Sequence, residues 1–120
     1  AVVLQDRHSP ATTGSLAKAA SGALETVPLI RVTNIARAME TLKDMGYWLT
    51  GLHAEADDMI GQESWRHPVG LVLGAEGGGL RRLTQQNCDS LAAIKIADSM
   101  HSLNVSNAAA VALYALRSNK

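Results

Sequence analysis

The chain is 120 residues long, the size of one domain, and its eleven basic residues balance eleven acidic ones around a hydrophobic fraction of 47%. These figures exclude an intrinsically disordered chain, a helical membrane span, which needs about 20 consecutive apolar residues, and a strongly basic nucleic-acid binder. A single cysteine, Cys88, excludes an internal disulfide framework and fits a reducing compartment.

With no Phe and only 3% aromatics, the core has to be packed from Ala, Val, Leu and Ile. Zero formal net charge confines any RNA contact to a local patch or to a segment outside this sequence. Asp6 and Arg7 follow Ala1-Val2-Val3-Leu4 without an apolar core, so no secretory signal is read and a cytoplasmic location is expected.

In chain order, Val2-Val3-Leu4 reads as a strand. An Ala-rich stretch over 15–24 is helix-compatible, and Leu29-Ile30-Arg31-Val32 is the next strand. Thr33 or Asn34 caps a helix whose apolar positions Ile35, Ala38, Met39, Leu42 and Met45 recur at helical spacing. Gly46 follows at the position where a positive φ costs little. Residues 47–52 read as a strand, and the acidic stretch 53–68 as a loop with one helical turn.

The continuous apolar run 69–73 predicts a strand buried on both faces. A glycine-rich loop over 74–79 opens a short helix over 80–86, and 91–96 is another buried strand. The last helix carries Val105, Ala108, Ala109, Ala112, Leu113 and Leu116 on one stripe. This alternation implies an α/β fold, with a mostly parallel sheet and helices on both faces.

Open α/β sheets bind ligands beyond the carboxyl ends of their strands. Three such ends are rich in Gly or polar residues: Thr50-Gly51, the loop 74–79 and the stretch 97–104. The glycine loop is no P-loop, because no Lys-Ser/Thr follows it, and Leu80-Arg81-Arg82 breaks the dinucleotide-binding pattern. On pattern alone it is a flexible strand-to-helix turn. Glu76 makes it more interesting, as a carboxylate held just after a buried strand.

Arg81 and Arg82 begin the next helix, where their charge opposes the helix dipole but can meet a phosphate backbone. The run Ser102-Leu103-Asn104-Val105-Ser106-Asn107 holds more polar groups than an N-cap needs, so it suggests a site at a helix start. The histidines His8, His53, His67 and His101 show no metal-ligand spacing, and no metal is expected. Cys88, Trp48 and Trp65 read as packing residues, and Asp57-Asp58 as a solvated loop.

Leu71-Val72-Leu73-Gly74-Ala75-Glu76-Gly77-Gly78-Gly79-Leu80-Arg81, then Cys88-Asp89, Ile94-Lys95-Ile96 and Ser102-Leu103-Asn104-Val105-Ser106, resembles the SpoU (TrmH-like) branch of the SPOUT RNA methyltransferases. Upstream, Asp6-Arg7-His8-Ser9 and the stretch 21–34 look like the bacterial enzymes that methylate a guanosine ribose in large-subunit ribosomal RNA. The resemblance covers essentially the whole chain.

It implies a trefoil-knotted α/β fold, with the knot near the C-terminus, S-adenosylmethionine bound at the knot, and a homodimer with the last helix in its interface. The implied reaction is methyl transfer to a ribose 2′-hydroxyl of RNA, ribosomal rather than transfer RNA. Glu76, Ser102 and Asn104 match the family's active-site positions, and Gly74, Ile96 and Leu103 its cofactor positions.

Two departures accompany it. The family's Asn-x-Gly motif and the Arg that follows it, usually given the role of activating the 2′-hydroxyl, would precede Val2 and are absent, as is the RNA-binding domain of the ribosomal enzyme. The Pro-Met that usually follows the Ile-x-Ile strand is also missing, since Ile96 leads to Ala97-Asp98. The alternative reading is therefore a catalytically silent knotted domain that only dimerises or binds cofactor or RNA.

Overall fold

The computed structural model describes residues 1–5, 26–61, 68–74, 80–94 and 105–118. In order they form β1 (Val2–Gln5), β2 (Leu29–Val32), α1 (Ile35–Asp44), β3 (Trp48–Leu52), β4 (Val69–Val72), α2 (Arg82–Asn87), β5 (Ser90–Ala92) and α3 (Val105–Ser118). The chain divides into two compact units, residues 1–38 and 39–120. The helix expected over 15–24 lies outside the described residues.

In the first unit β1 and β2 pair in parallel, from Val2↔Leu29 to Gln5↔Val32. The Val2 N–H donates to the Pro28 carbonyl at 2.9 Å and extends the ladder by one bond. Asn34 caps α1, its Oδ1 accepting the Arg37 N–H at 3.1 Å.

The other end of α1 closes in a Schellman arrangement. The Tyr47 N–H reaches the Leu42 carbonyl and the Gly46 N–H the Lys43 carbonyl, both at 3.0 Å. Gly46 has φ 99°, the left-handed conformation its position demands. Met39 is buried along the apolar stripe of α1. Met45, expected on the same stripe, is 66% exposed, because the helix ends at Asp44 and helical spacing no longer aims its side chain.

In the second unit the described strands run parallel in the order β4-β3-β5. Gly51 pairs with Val72 on one side and Leu91 on the other. The core sits on central β3, where Leu49, Thr50 and Gly51 are all buried. Two glycines make room for it. A Cβ on Gly70 would stand 2.5 Å from Leu49 Cδ2, and one on Gly51 would meet Cys88 Sγ and Leu80 Cδ1 at 2.8 Å and Leu91 Cδ2 at 2.9 Å. Leu80, Cys88 and Leu91 thus lie directly on the β3 backbone.

Four expectations need correction here. β4 is half-buried at all four positions, because among the described strands it lies at the sheet edge. β5 begins at Ser90 and its ladder with β3 ends at Ala92; Ala93 pairs instead with Met59, in the loop after β3. The short helix starts at Arg82, with buried Leu80 as an anchor ahead of it and Arg81 in an extended cap position. In α3, Ala112 is fully buried as expected, but Leu113, about 100° further round the helix, is 58% exposed. No helix of the described residues is long and apolar enough to cross a membrane.

Candidate active site

Because β4, β3 and β5 run the same way, their carboxyl ends share one edge. From that edge the chain leaves at Leu73-Gly74, at His53 and at Ala93-Ile94. Parallel strands aim their last carbonyls and the following loops at a common crevice, where α/β proteins place ligands.

The loop after β3 folds back across this edge. A turn joins the Ala56 N–H to the His53 carbonyl at 3.0 Å. The Ala93 N–H then donates to Asp58 O at 2.8 Å, and the Ile60 N–H donates to Ala93 O at 2.7 Å. The loop so held borders an open cavity of about 430 Å³, lined by His53, Glu55, Ala56, Asp57, Asp58, Gln85 and Leu91.

That volume is within the roughly 300–1,000 Å³ of small-molecule sites. Glu55, Asp57 and Asp58 are exposed, so the cavity mouth is negatively charged and favours a cationic ligand. Leu91 adds an apolar wall. Gln85 stands on α2 with its Nε2 donating to Leu80 O at 2.9 Å, which leaves its carbonyl oxygen as a candidate acceptor for a ligand.

Of the sequence-expected site residues, Gly74 follows β4 directly at this edge and is half-buried. Arg81 and Arg82 are both exposed at the start of α2. Glu76, Ile96, Ser102, Leu103 and Asn104 lie outside the described residues. The first two follow Gly74 and Ile94 by two positions each, and Asn104 immediately precedes α3.

His53, Gln85 and the acidic loop were not singled out as site residues. Their available signal was position: His53 comes two residues after Gly51, at a strand end already marked as a candidate edge. Asp57 and Asp58 are solvated, as expected, and also line the cavity.

Cys88 is half-buried, its Sγ donating to the Thr84 carbonyl at 3.3 Å. Burial and, after it, the Asp89 carboxylate push its thiol up to about 11, against the lowering effect of Lys43. It is protonated at neutral pH and is a packing residue, as its sequence context implied.

The profile of the SpoU rRNA Methylase family matches residues 1–114. The chain belongs to this family. It is 47% identical over 113 residues to the 23S rRNA (guanosine-2'-O-)-methyltransferase RlmB of Vibrio parahaemolyticus, across 94% of this chain and 45% of that protein. With RlmB of Ralstonia nicotianae the identity is 45% over 114 residues, across 95% of this chain and 46% of that one.

A solved structure, the SpoU methyltransferase AviRb from Streptomyces viridochromogenes in complex with AdoMet, matches with a TM-score of 0.84 at 26% identity, over 97% of this chain and 48% of that one. The chain thus spans less than half the length of these relatives. The SpoU match runs through all five described strands and both compact units, and it bears out the resemblance carried by the motifs.

Proposed function

We propose that residues 1–120 form the methyltransferase domain of an RNA 2′-O-ribose methyltransferase that uses S-adenosylmethionine and acts on a guanosine of ribosomal RNA. The observation that carries this reading is the SpoU family match over residues 1–114. Its support comes from the relatives' names, from the AdoMet complex of AviRb, and from the parallel edge that gathers three strand ends. The described residues fit the cofactor: a negatively charged cavity mouth of Glu55, Asp57 and Asp58 suits a ligand bearing sulfonium and ammonium groups, and Leu91 suits its adenine face.

When bound, S-adenosylmethionine supplies an electrophilic methyl group. Gly74, Ile96 and Leu103 hold its adenosine part, mainly through main-chain groups and apolar contact. Glu76, Ser102 and Asn104 orient the ribose hydroxyl, whose proton has to pass to a base as its oxygen takes the methyl group and the sulfonium becomes a thioether. Arg81 and Arg82, exposed on α2, meet the RNA backbone as phosphate contacts.

The fold is completed as a trefoil knot near the C-terminus, with helices on both sheet faces, in a cytoplasmic protein. A second copy of the chain covers α3, whose Val111, Leu113 and Tyr114 are 42%, 58% and 77% exposed and form an apolar face of the kind that dimers bury.

The test is transfer of labelled methyl groups from S-adenosylmethionine to ribosomal RNA by the full-length protein. Glu76→Ala and Asn104→Ala are each expected to lower turnover about 100-fold while leaving the circular dichroism spectrum unchanged. Parental rates in both variants overturn the site assignment. Absence of transfer by the parent overturns the activity in favour of a silent knotted domain.

A further inference from the structure

The end of the β3–β5 ladder opposite the candidate site is closed by a side chain. Asp89 stands just before β5 and takes up both main-chain groups of Leu49. Its N–H donates to Leu49 O at 2.8 Å, and the Leu49 N–H donates to Asp89 Oδ2, also at 2.8 Å. The chain ahead of Asp89 has already left the sheet, since Asn87 ends α2 and Cys88 is its C-cap.

The carboxylate therefore supplies the acceptor that a longer strand would have supplied from its backbone. Leu49 is 1% exposed, so without Asp89 its N–H loses an acceptor that water does not replace. Lys43 Nζ lies 3.8 Å from the other carboxylate oxygen and donates to the Asn87 carbonyl at 3.0 Å, tying the end of α2 to the same point. One residue on, Ser90 Oγ accepts the Trp48 Nε1–H at 3.1 Å and is hydrogen-bonded to Thr50 Oγ1 at 3.0 Å.

β5 has three residues, so its own ladder holds it weakly and these side chains fix its register. A slip of one residue would move its exit point by about 3.3 Å and turn its side chains to the opposite face.

We propose that Asp89 is a positioning residue for the cofactor site. By pinning the start of β5 to β3, it sets the place and direction in which Ala93-Ile94 reaches the carboxyl edge, where Ala93 holds the cavity loop through Asp58 and Ile60. It touches no ligand itself, standing about 10 Å away at the far end of a three-residue strand. This inference rests on the reading that S-adenosylmethionine binds at that edge.

The experiment is calorimetry of S-adenosylmethionine binding to the full-length protein and its variants, at a temperature well below every melting midpoint. Asp89→Asn keeps an acceptor oxygen in place and is expected to bind within about twofold of the parent. Asp89→Ala is expected to bind about tenfold more weakly in the fully folded state, because a displaced loop spoils the site's geometry.

A merely structural role lowers the melting temperature of Asp89→Ala and leaves the affinity of the folded protein at the parental value, and that result overturns the proposal. If Asp89→Ala does not fold, Asp89→Glu decides instead. It keeps the charge and shifts the acceptor by one methylene: weakened binding in a folded variant supports the proposal, and parental affinity overturns it. A parent that binds no S-adenosylmethionine overturns the cofactor reading itself, a result distinct from either outcome for Asp89.

Discussion

The two ends of the β3–β5 ladder are built differently. At the amino end, side chains do the fastening: Asp89 closes on Leu49, Ser90 joins Trp48 to Thr50, and Lys43 ties down the last carbonyl of α2. At the carboxyl end, main-chain bonds from His53, Ile60 and Ala93 hold a loop whose acidic side chains are left to solvent and to a cavity. Side-chain fastening at one end leaves the polar groups of the other end available for a ligand. The difference predicts that stability is concentrated at the amino end and ligand recognition at the carboxyl end.

The harshest way to break that division is to disturb the packing beneath β3. Gly51→Ala places a Cβ within 2.9 Å of Cys88, Leu80 and Leu91 together, and two of those atoms lie at 2.8 Å. The three neighbours come from β5 and from both ends of the α2 segment, so none moves alone. We expect a loss of about 2 kcal/mol in urea unfolding, typical of an overpacked core. A loss below about 0.5 kcal/mol, the range of ordinary surface changes, would show that α2 floats on the sheet and that the amino end is not rigid.

A smaller effect is expected from Thr50→Val. Thr50 is fully buried and its hydroxyl meets Ser90 Oγ at 3.0 Å. The replacement keeps the shape and removes one hydrogen bond, while Ser90 retains the Trp48 indole. The expected cost is about 1 kcal/mol, read as a lower urea midpoint at unchanged slope. An unchanged midpoint would reduce the Trp48–Ser90–Thr50 cluster to a passive contact and leave Asp89 alone as the fastener.

Local rules made much of this fold legible in the sequence. The cap at Asn34, one of the two positions the sequence offered, and the left-handed Gly46 each follow from a residue's own conformational preference. What sequence reading missed depends on partners distant in the chain. Residues 91–96 look like one continuous strand, yet at Ala93 the ladder changes partner from β3 to Met59, and nothing in either local pattern announces that exchange. Cys88-Asp89 stands among the motifs of the resemblance, but the structural role of Asp89 is hidden for the same reason, because it is defined by Leu49, 40 positions away. The site was legible as an edge at Gly74, which follows β4; Thr50-Gly51, read as a strand end, lies inside β3, which runs on to Leu52. His53 and Gln85 join it only when the loop after β3 and α2 are brought to the same cavity.

The mildest change sharpens the comparison most. Asp57→Asn with Asp58→Asn removes two exposed charges from the cavity mouth and alters no buried packing. Unfolding free energy is expected to stay within about 0.5 kcal/mol of the parent, as for surface substitutions generally. Affinity for S-adenosylmethionine, a cationic ligand, is expected to fall about threefold, in line with the roughly 0.2–1 kcal/mol of an exposed charge interaction. Raising the salt concentration should shrink that difference, since exposed charges are screened beyond a Debye length of about 8 Å at physiological ionic strength. A large loss of stability with no change in affinity would invert the assignment, making the acidic loop the fastener and removing it from the ligand site. Two carboxylates in solvent are poor fasteners, so the division between the two ends is expected to hold.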